Sequence, residues 1–276
     1  MGERLVDDTV QSAELTKVAV LAAESVTDQL RQAFRAPIAI EYKRDRHDPV
    51  TEHDRAAEHR IRQVILDEVP DSVIVGEEGG SHGAGDIRWY VDPIDGTANF
   101  AAGLPFWCTS IGVIVAGRIV AGVVLDHVRG DLFTASLQGA WCNGVRLQSA
   151  GAQDEASATI LTSYPSPAQL AADGPVALKR FGAMVEHFAS LRRPGSAALK
   201  LAHVAAGWTD VALGLSVNAW DVCAGILLVE QAGGRYHPLS RSGVPVESAW
   251  EASGYLAHVR TLDPMSSPVF RWLAPR

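Results

Sequence analysis

The pattern of apolar and polar positions predicts helices at the start of the chain and a run of short strands after them. Residues 10–34 place apolar side chains at helical spacing. A second helix is predicted to begin after Thr51, whose side chain can cap it, and to end near Val69. Between residues 107 and 142, short apolar runs alternate with turn signals, which is typical of an antiparallel meander.

The second half of the chain alternates predicted strands and helices. Residues 195–206 and 220–232 form runs of small and apolar residues at helical spacing, so both are predicted helices. The polar stretch 149–156 is the predicted boundary between two lobes. We therefore expect an N-terminal lobe of residues 1–150 that contains the antiparallel sheet, and a C-terminal α/β lobe of residues 151–276 that completes the site.

Composition places the chain among ordinary globular proteins. Apolar residues make up 47% of it and charged residues 20%, which is enough for a large core. The net charge of −8 argues against a general nucleic-acid surface, which needs a basic patch. It does not exclude a small anionic substrate, because bound metal ions can reverse the local charge.

Cysteine spacing and hydropathy indicate the cellular compartment of the protein. The three cysteines fit neither a zinc pattern nor a disulfide framework, so we expect free, partly buried thiols. The acidic start of the chain lacks the apolar core of a signal peptide. The longest apolar stretch, residues 111–125, is too short for a membrane span. A cytoplasmic protein without a membrane partner is expected.

The stretch Asp92-Pro93-Ile94-Asp95 follows an apolar run that is predicted to be a buried strand. Pro93 stiffens the turn, so the two carboxylates can converge on one point. Like charges held that close repel each other unless a cation lies between them. A hard divalent ion is a suitable partner for such oxygen ligands. The alternative interpretation is an acidic turn at the protein surface.

Four other acids stand at predicted strand ends or helix starts. Glu77 and Glu78 follow an apolar strand, and Asp54 and Asp221 fall in the first turns of helices. Taken singly, such residues are typical of solvated acids or of acids favoured by the helix dipole. Taken with the first pair, they form an oxygen-only ligand set that favours Mg²⁺, Mn²⁺ or Ca²⁺ over zinc.

Four segments in order resemble the signatures of the inositol monophosphatase family. They are Val50-Thr51-Glu52-His53-Asp54, Gly76-Glu77-Glu78, the run from Asp92 to Phe100, and Trp220-Asp221 followed by Ala232-Gly233-Gly234. The family belongs to a superfamily of magnesium-dependent, lithium-sensitive phosphomonoesterases. The resemblance implies an α+β fold, a five-layered α-β-α-β-α sandwich, and a homodimer. It also implies hydrolysis of a small-molecule phosphate monoester by a metal-activated water, without a covalent intermediate.

The resemblance also implies roles for single residues. Metal ligands would be Glu77, Asp92, the backbone carbonyl of Ile94, Asp95 and Asp221. Catalytic residues would be Asp54 and Thr97, with support from Glu78, and the amides of Gly96 and Thr97 would bind phosphate. Two to three Mg²⁺ ions are expected, with Mn²⁺ as a substitute and Ca²⁺ or Li⁺ as inhibitors.

The alcohol side of the site is where the resemblance is weakest. Arg192, Gly195 and Ser196 match a family segment that lines this side, and Lys43 matches a lysine on a mobile loop. Family members that prefer inositol phosphate carry a glutamate where this chain has Gly214, which argues against strict inositol specificity.

Three hypotheses about function therefore stay open. The chain is a broad or inositol-preferring phosphatase, or it acts on histidinol phosphate, fructose 1,6-bisphosphate or phosphoadenosine phosphate. A third hypothesis, from another class, is a metal-binding interaction protein with little turnover.

Overall fold

The computed structural model describes residues 2–37, 40–42, 49–240, 246–264 and 267–273. Its helices are α1 (Gly2–Glu24), α2 (Thr27–Ala33), α3 (Glu52–Glu68), α4 (Thr97–Ala102), α5 (Pro167–Asp173), α6 (Pro175–His187), α7 (Ala197–Ala205) and α8 (Ala219–Gln231). Its strands are β1 (Ile40–Tyr42), β2 (Pro49–Thr51), β3 (Ser72–Gly76), β4 (Gly80–Gly83), β5 (Ile87–Asp95), β6 (Cys108–Val115), β7 (Arg118–Asp126), β8 (Asp131–Ser136), β9 (Gly139–Cys142), β10 (Val145–Arg146), β11 (Thr159–Thr162), β12 (Ser190–Arg192), β13 (Val211–Gly214), β14 (Arg235–Leu239) and β15 (Gly254–His258).

The larger sheet has eight strands in the order β10-β9-β8-β7-β6-β5-β3-β4. The run from β5 to β10 is antiparallel throughout, which confirms the predicted meander. Strand β3 pairs with β5 in parallel, so the two strands end at the same edge of the sheet. This parallel pair brings the glutamates after β3 close to the aspartates at the end of β5.

The smaller sheet has five strands in the order β12-β11-β13-β15-β14. Helices α7 and α8 lie between the two sheets, since α8 contacts β6 and β7 on one side and β14 on the other. Helices α1 and α3 cover the outer face of the larger sheet, and α6 lies beside β12. The layers are thus α-β-α-β-α, as expected.

Two buried clusters hold these layers together. One lies between α1, α3 and the larger sheet, with Trp89, Phe100 and Trp107 among its members. The other surrounds α7 and α8 and reaches both sheets. Strands of the larger sheet lie within residues 72–146 and those of the smaller within 159–258. The two-lobe division at residue 150 stays a prediction.

Several predicted elements differ in detail from the structure. The N-terminal helix is interrupted at Ser25, whose hydroxyl donates to the Ala22 carbonyl and competes with the helical backbone. The Gly-rich, polar composition of residues 81–86 predicts a surface loop, but part of this stretch belongs to the exposed edge strand β4. The sequence also predicts a short helix near residues 266–273, and within that range the structure has a 3₁₀ turn, Arg271–Leu273. The three cysteines are buried and free, and no described helix has the length and apolar character that a bilayer crossing needs.

Candidate active site

Two buried aspartates mark the end of strand β5. Asp92 is 2% exposed and Asp95 is 7% exposed. The pairing of β5 with β6 shifts register between them, so the strand is irregular where the acids leave it. The amide of Ile94 donates to Asp92 Oδ1 over 3.0 Å, which fixes the first carboxylate within the turn.

Asp221 joins this pair from the first turn of α8. The amide of Asn218 donates to Asp221 Oδ2 over 2.6 Å, as part of a capping box that starts the helix. Ligand atoms of Asp92, Asp95 and Asp221 all lie within 4.8 Å of one another. Asp221, which is remote in sequence from Asp92 and Asp95, therefore joins them in one small cluster.

Electrostatics in this cluster favour a cation. Burial and, after it, the charges of Glu77 and Asp95 raise the pKa of Asp92 well above its usual range. Burial and the charge of Asp95 likewise raise the pKa of Asp221 well above its usual range. Burial raises the pKa of Asp95, although the Ser196 hydroxyl and backbone amides oppose the rise. Buried, mutually repelling carboxylates with oxygen donors alone fit a hard divalent ion.

Asp95 is held by the N-terminus of α7. Ser196 donates its hydroxyl to Asp95 Oδ2 over 2.5 Å, and the amide of Ala198 donates to the same oxygen over 2.6 Å. Ser196 also accepts from the amide of Leu199, so it caps α7 at the same time. Ser196, predicted on the alcohol side, thus contacts a metal-ligand candidate directly.

Asp54 and Thr97 meet at the opening of α4. The Thr97 hydroxyl lies 3.1 Å from Asp54 Oδ1 and 3.0 Å from the Ile94 carbonyl. Asp54 Oδ2 accepts from both the amide and the hydroxyl of Thr51, at 2.8 and 2.6 Å. Gly96 precedes the helix with a φ of 99°, a conformation that favours glycine. The two residues predicted to activate water are therefore in hydrogen-bond contact.

A residue that the sequence analysis missed, Glu58, holds the turn that carries Glu77 and Glu78. Glu58 lies on α3, is 3% exposed, and accepts from the amides of Glu78 and Gly79 over 2.7 and 2.8 Å. A side chain at Gly76 would collide with the Glu58 carboxylate. The sequence did contain a signal for Glu58. It follows Asp54 by four residues on the same predicted helix, and residues i and i+4 share one helix face.

A cleft of about 240 Å³ opens beside Asp95 and Asp221. Its other described lining residues include Ser163, Gly195, Lys200, Gly214 and Ser216. A Cβ at Gly214 would lie 2.5 Å from the ring of Tyr255, the residue opposite it on β15. The ring of Tyr255 therefore leaves no room for a side chain at position 214.

The remaining predicted residues differ in their placement. Arg192 is exposed, donates to the neighbouring Leu191 carbonyl, and is outside the lining of this cleft. Gly195 is held near the site because Asn99 donates to the carbonyls of Phe106 and Pro194. Lys43 lies outside the described residues. Lys200 was not singled out by the sequence analysis, although a lone charge in a helix of small apolar residues was visible there.

The chain is similar to known proteins over most of its length. The chain is 38% identical over 224 residues to Nus factor SuhB of Escherichia coli (strain K12), covering 80% of this chain and 83% of that protein. It is 36% identical over 264 residues to Nus factor SuhB of Pseudomonas aeruginosa, covering 92% and 97%.

Solved structures of inositol monophosphatases share the fold. The IMPase of Thermotoga maritima is 28% identical with a TM-score of 0.81, covering 94% of this chain and 96% of that one. The inositol monophosphatase of Anabaena (Nostoc) sp. PCC 7120 is 27% identical with a TM-score of 0.78, covering 95% and 97%. The model of the inositol monophosphatase family matches residues 11–265. The chain belongs to the inositol monophosphatase family.

Proposed function

We propose that this chain hydrolyses a small-molecule phosphate monoester with the help of divalent metal ions, as an inositol-monophosphatase-like enzyme. The observation that carries the proposal is the cluster that the buried Asp92 and Asp95 form with the half-buried Asp221. Family membership supports it, because family members generally use divalent metal ions. Buried like charges are costly without a cation, so the cluster is better explained by ion binding than by stability.

The metal positions would be shared among five residues. The first would use Glu77, Asp92 and the Ile94 carbonyl, the second Asp92, Asp95 and Asp221, and a third, weaker one Glu77. Bound divalent ions lower the pKa of coordinated water and offset charge on phosphoryl oxygens. We propose two to three Mg²⁺, with Mn²⁺ as a substitute and Ca²⁺ or Li⁺ as inhibitors.

Thr97 and Asp54 would orient the attacking water and take its proton. The Thr97 hydroxyl can give its own proton to Asp54 while its lone pair accepts a hydrogen bond from water. Asp54 is 1% exposed and already accepts from Thr51, so its orientation is fixed before substrate binds. Glu78 would support this pair from the neighbouring turn. No covalent intermediate is required, because the nucleophile is water.

Phosphate and alcohol would occupy different walls of the site. The amides of Gly96 and Thr97 stand at the start of α4, where a helix leaves its first N–H groups without helical acceptors. The alcohol part would enter the cleft that Gly195 and Gly214 line. Arg192 is proposed for this side with less support, as is Lys43. Inositol phosphate, histidinol phosphate, fructose 1,6-bisphosphate and phosphoadenosine phosphate remain the candidate substrates.

Phosphate release from this panel of substrates tests the proposal. The wild-type chain and Asp92→Asn are assayed with MgCl₂, and Asp67→Asn, an exposed acid on α3, is the control. Asp92→Asn is expected to lower kcat by at least about a hundredfold, because electrostatic stabilisation at the reacting centre is lost. Asp67→Asn should keep wild-type turnover. Absence of Mg²⁺-dependent release with the whole panel, or full activity in Asp92→Asn, would contradict the proposal.

A second candidate function comes from the relatives named Nus factor SuhB. A chain 38% identical to such a protein can share its role. We place this possibility with the hypothesis of a metal-binding interaction protein with little turnover. Complementation of an Escherichia coli strain that lacks SuhB, by the wild-type chain and by Asp92→Asn, tests this. Complementation by both variants would favour the second function, whereas complementation by neither would favour the enzyme alone.

A homodimer is proposed on family resemblance, together with a cytoplasmic location. Sedimentation of the full chain at micromolar concentration measures the assembly state, and a monomer at all concentrations would contradict the dimer.

A further inference from the structure

Lys200 is a buried cation in the wall of the substrate cleft. It lies in the middle of α7 and is 2% exposed. It follows the capping residue Ser196 by four positions, so both side chains share one face of the helix. Its Nζ lies 3.2 Å from Ser163 Oγ, on the segment after β11. Lysines are rarely this buried unless they have an anionic partner.

The nearby acids, Asp95 and Asp221, already accept hydrogen bonds from other groups. Asp95 accepts from Ser196 and Ala198, and Asp221 accepts from Asn218. Within the described part of the chain, the ion pairs with nitrogen–oxygen distances up to 4.0 Å do not include Lys200. The same two aspartates belong to the proposed metal positions. Once divalent ions neutralise them, the charge of Lys200 has no counter-ion left in the cleft wall.

A second positive charge, on Arg193, lies next to this wall. Arg193 donates to the carbonyls of Ser163 and Pro165, both over 3.1 Å, and so lies on the same segment as the partner of Lys200. Burial lowers the pKa of Lys200 to about 8, and the charge of Arg193 contributes to that direction, whereas Asp95 and Asp221 oppose it.

Apart from Asp95 and Asp221, the described residues of the wall offer hydrogen bonds but no anion. Among the described residues that line the cleft, Lys200 is the one with a positive charge, and Ser163, Ser166, Gln169 and Ser216 provide neutral polar groups. The cleft also continues to the aspartate cluster, since Asp95 and Asp221 line it too. A ligand whose phosphate reaches the metal positions would thus extend its alcohol part past Lys200.

We propose that Lys200 binds a second anionic group on the alcohol part of the substrate, a carboxylate or a further phosphate. The inference rests on the proposed phosphatase function and names its substrate class: phosphate monoesters that carry two anionic groups. Lys200 is then a specificity-determining residue. An ammonium group that is charged and desolvated before substrate arrives makes stronger hydrogen bonds to an anion than neutral donors do.

Two matched substrate pairs test the proposal with MgCl₂ present. 2-Phosphoglycerate and glycerol 2-phosphate differ by a carboxylate against a hydroxymethyl group. Fructose 1,6-bisphosphate and fructose 1-phosphate differ by a phosphate against a hydroxyl. The measured quantity is the ratio of kcat/KM for the anionic member to kcat/KM for the neutral member. Wild type is expected to prefer one or both anionic members by at least about tenfold.

Three variants identify the source of this preference. Lys200→Met keeps the length of the side chain without its charge and should reduce the ratio by about tenfold or more. Lys200→Arg keeps the charge and should retain most of the preference. Lys179→Met removes the same charge from an exposed position of α6 and should leave the ratio unchanged. Circular dichroism melting of each variant verifies that it is folded.

The outcomes separate this inference from the function on which it rests. A preference in one pair alone identifies the anion as carboxylate or phosphate. Equal rates within both pairs in wild type, an unchanged ratio in Lys200→Met, or a changed Mg²⁺ requirement at constant ratio would overturn the role of Lys200. If no pair is hydrolysed, the proposed activity fails for these substrates. Dissociation constants for the non-hydrolysable phosphonate analogues of each pair then decide the inference by the same ratio.

Discussion

At the scale of single residues, the site depends on hydroxyl and amide donors that hold each carboxylate before any ion or substrate binds. Asp54 receives hydrogen bonds from Thr51 and has Thr97 beside its other oxygen. Asp95 receives them from Ser196 and Ala198. Such fixed donors lower the cost of organising charge during the reaction. Single hydroxyl groups are therefore expected to matter for the rate.

Removal of the Thr97 hydroxyl tests its proposed role in proton transfer. Thr97→Val has nearly the same shape but no hydroxyl, so kcat should fall by about 10²- to 10⁴-fold, the usual contribution of general acid–base catalysis. Thr97→Ser keeps the hydroxyl and should stay within about tenfold of wild type. Phosphate release is the measurement. Equal loss in both variants would assign the effect to packing instead of proton transfer.

At the scale of elements, α3 connects the two halves of the acidic site. Its capping box places Asp54 near Thr97, and its next turn places Glu58 under the turn after β3. Glu58 is buried and accepts hydrogen bonds from the backbone amides of Glu78 and Gly79. The position of this helix therefore fixes the contact between Asp54 and Thr97. It also fixes the turn that carries Glu77, because Glu77 directly precedes the residues whose amides Glu58 binds.

The helix connection leads to a prediction for Glu58→Ala. The partly buried amides of Glu78 and Gly79 lose their acceptor, so the free energy of unfolding should fall by about 1–3 kcal/mol. The Mg²⁺ concentration for half-maximal activity should rise by about 10- to 100-fold, because groups that orient metal ligands affect affinity on that scale. Urea unfolding and Mg²⁺ titration measure the two effects. Glu68→Ala, an exposed position of the same helix, is the control and should change neither.

His127 connects α2 to the larger sheet and makes stability depend on pH. Its ring is fully buried, with Thr109 Oγ1 2.8 Å from Nε2 and Thr27 Oγ1 3.2 Å from Nδ1. Burial, with the charge of Arg31 as a smaller cause, lowers the pKa of His127 to about 3. The unfolded chain therefore binds this proton first as pH falls below about 6.5, and the folded state loses stability until pH reaches the lowered pKa.

The expected size of this effect is about 2 kcal/mol between pH 7 and pH 5, from the difference between the two pKa values. Replacing His127 by Gln removes the titrating ring, so the wild-type loss should exceed that of the variant by this amount. Urea unfolding at both pH values measures the difference. His187→Gln, at an exposed position of α6, should behave like wild type. Parallel pH curves for wild type and His127→Gln would contradict the assignment.

At the scale of the whole molecule, the acids come from elements that the tertiary fold alone brings together. Asp92 and Asp95 end β5 of the larger sheet, whereas Asp221 starts α8 between the two sheets. Their charges oppose folding when no cation is present, since burial raises the pKa of all three and other acids raise the pKa of Asp92 and Asp221 further. Divalent ions that bind the folded state alone should therefore stabilise the entire chain.

Metal removal tests this coupling between the site and global stability. Mg²⁺ at about a hundred times its dissociation constant should add about 2.7 kcal/mol, or roughly 5–10 °C in Tm, relative to protein in EDTA. The shift should be larger at pH 8 than at pH 6. Acids with raised pKa values contribute stability at low pH, and this contribution is lost as pH rises through those values. At pH 6, protons also compete with Mg²⁺ for the carboxylates more strongly than at pH 8.

Thermal unfolding followed by circular dichroism measures these shifts. Asp92→Asn should melt at a higher temperature than wild type in EDTA, because one buried negative charge is removed, and should respond little to Mg²⁺. Asp67→Asn should respond like wild type. An equal Mg²⁺ shift in wild type and Asp92→Asn would place the ions elsewhere.

Much of the fold was predictable because local chemistry dictated it. The Thr51 cap and the meander signalled by turns such as Asn143-Gly144 agree with the structure. Gly174-Pro175 predicts a helix break, and α5 and α6 indeed meet there. Each depends on backbone conformations or capping bonds within a few residues. Short edge strands such as β12 and β4 were missed, because their pairing partners, not their own residues, make them strands.

The sequence by itself determined the family, the layered fold and the six acids, since these follow from ordered segments and from side chains of one chemical type. Only the tertiary structure decided how buried the acids are, that Glu58 orients the turn after β3, and that Lys200 faces the cleft. The physical reason is the separation along the sequence over which each effect acts. Capping and turn formation act within a few residues, whereas burial and the pKa shifts it causes depend on elements more than a hundred residues apart.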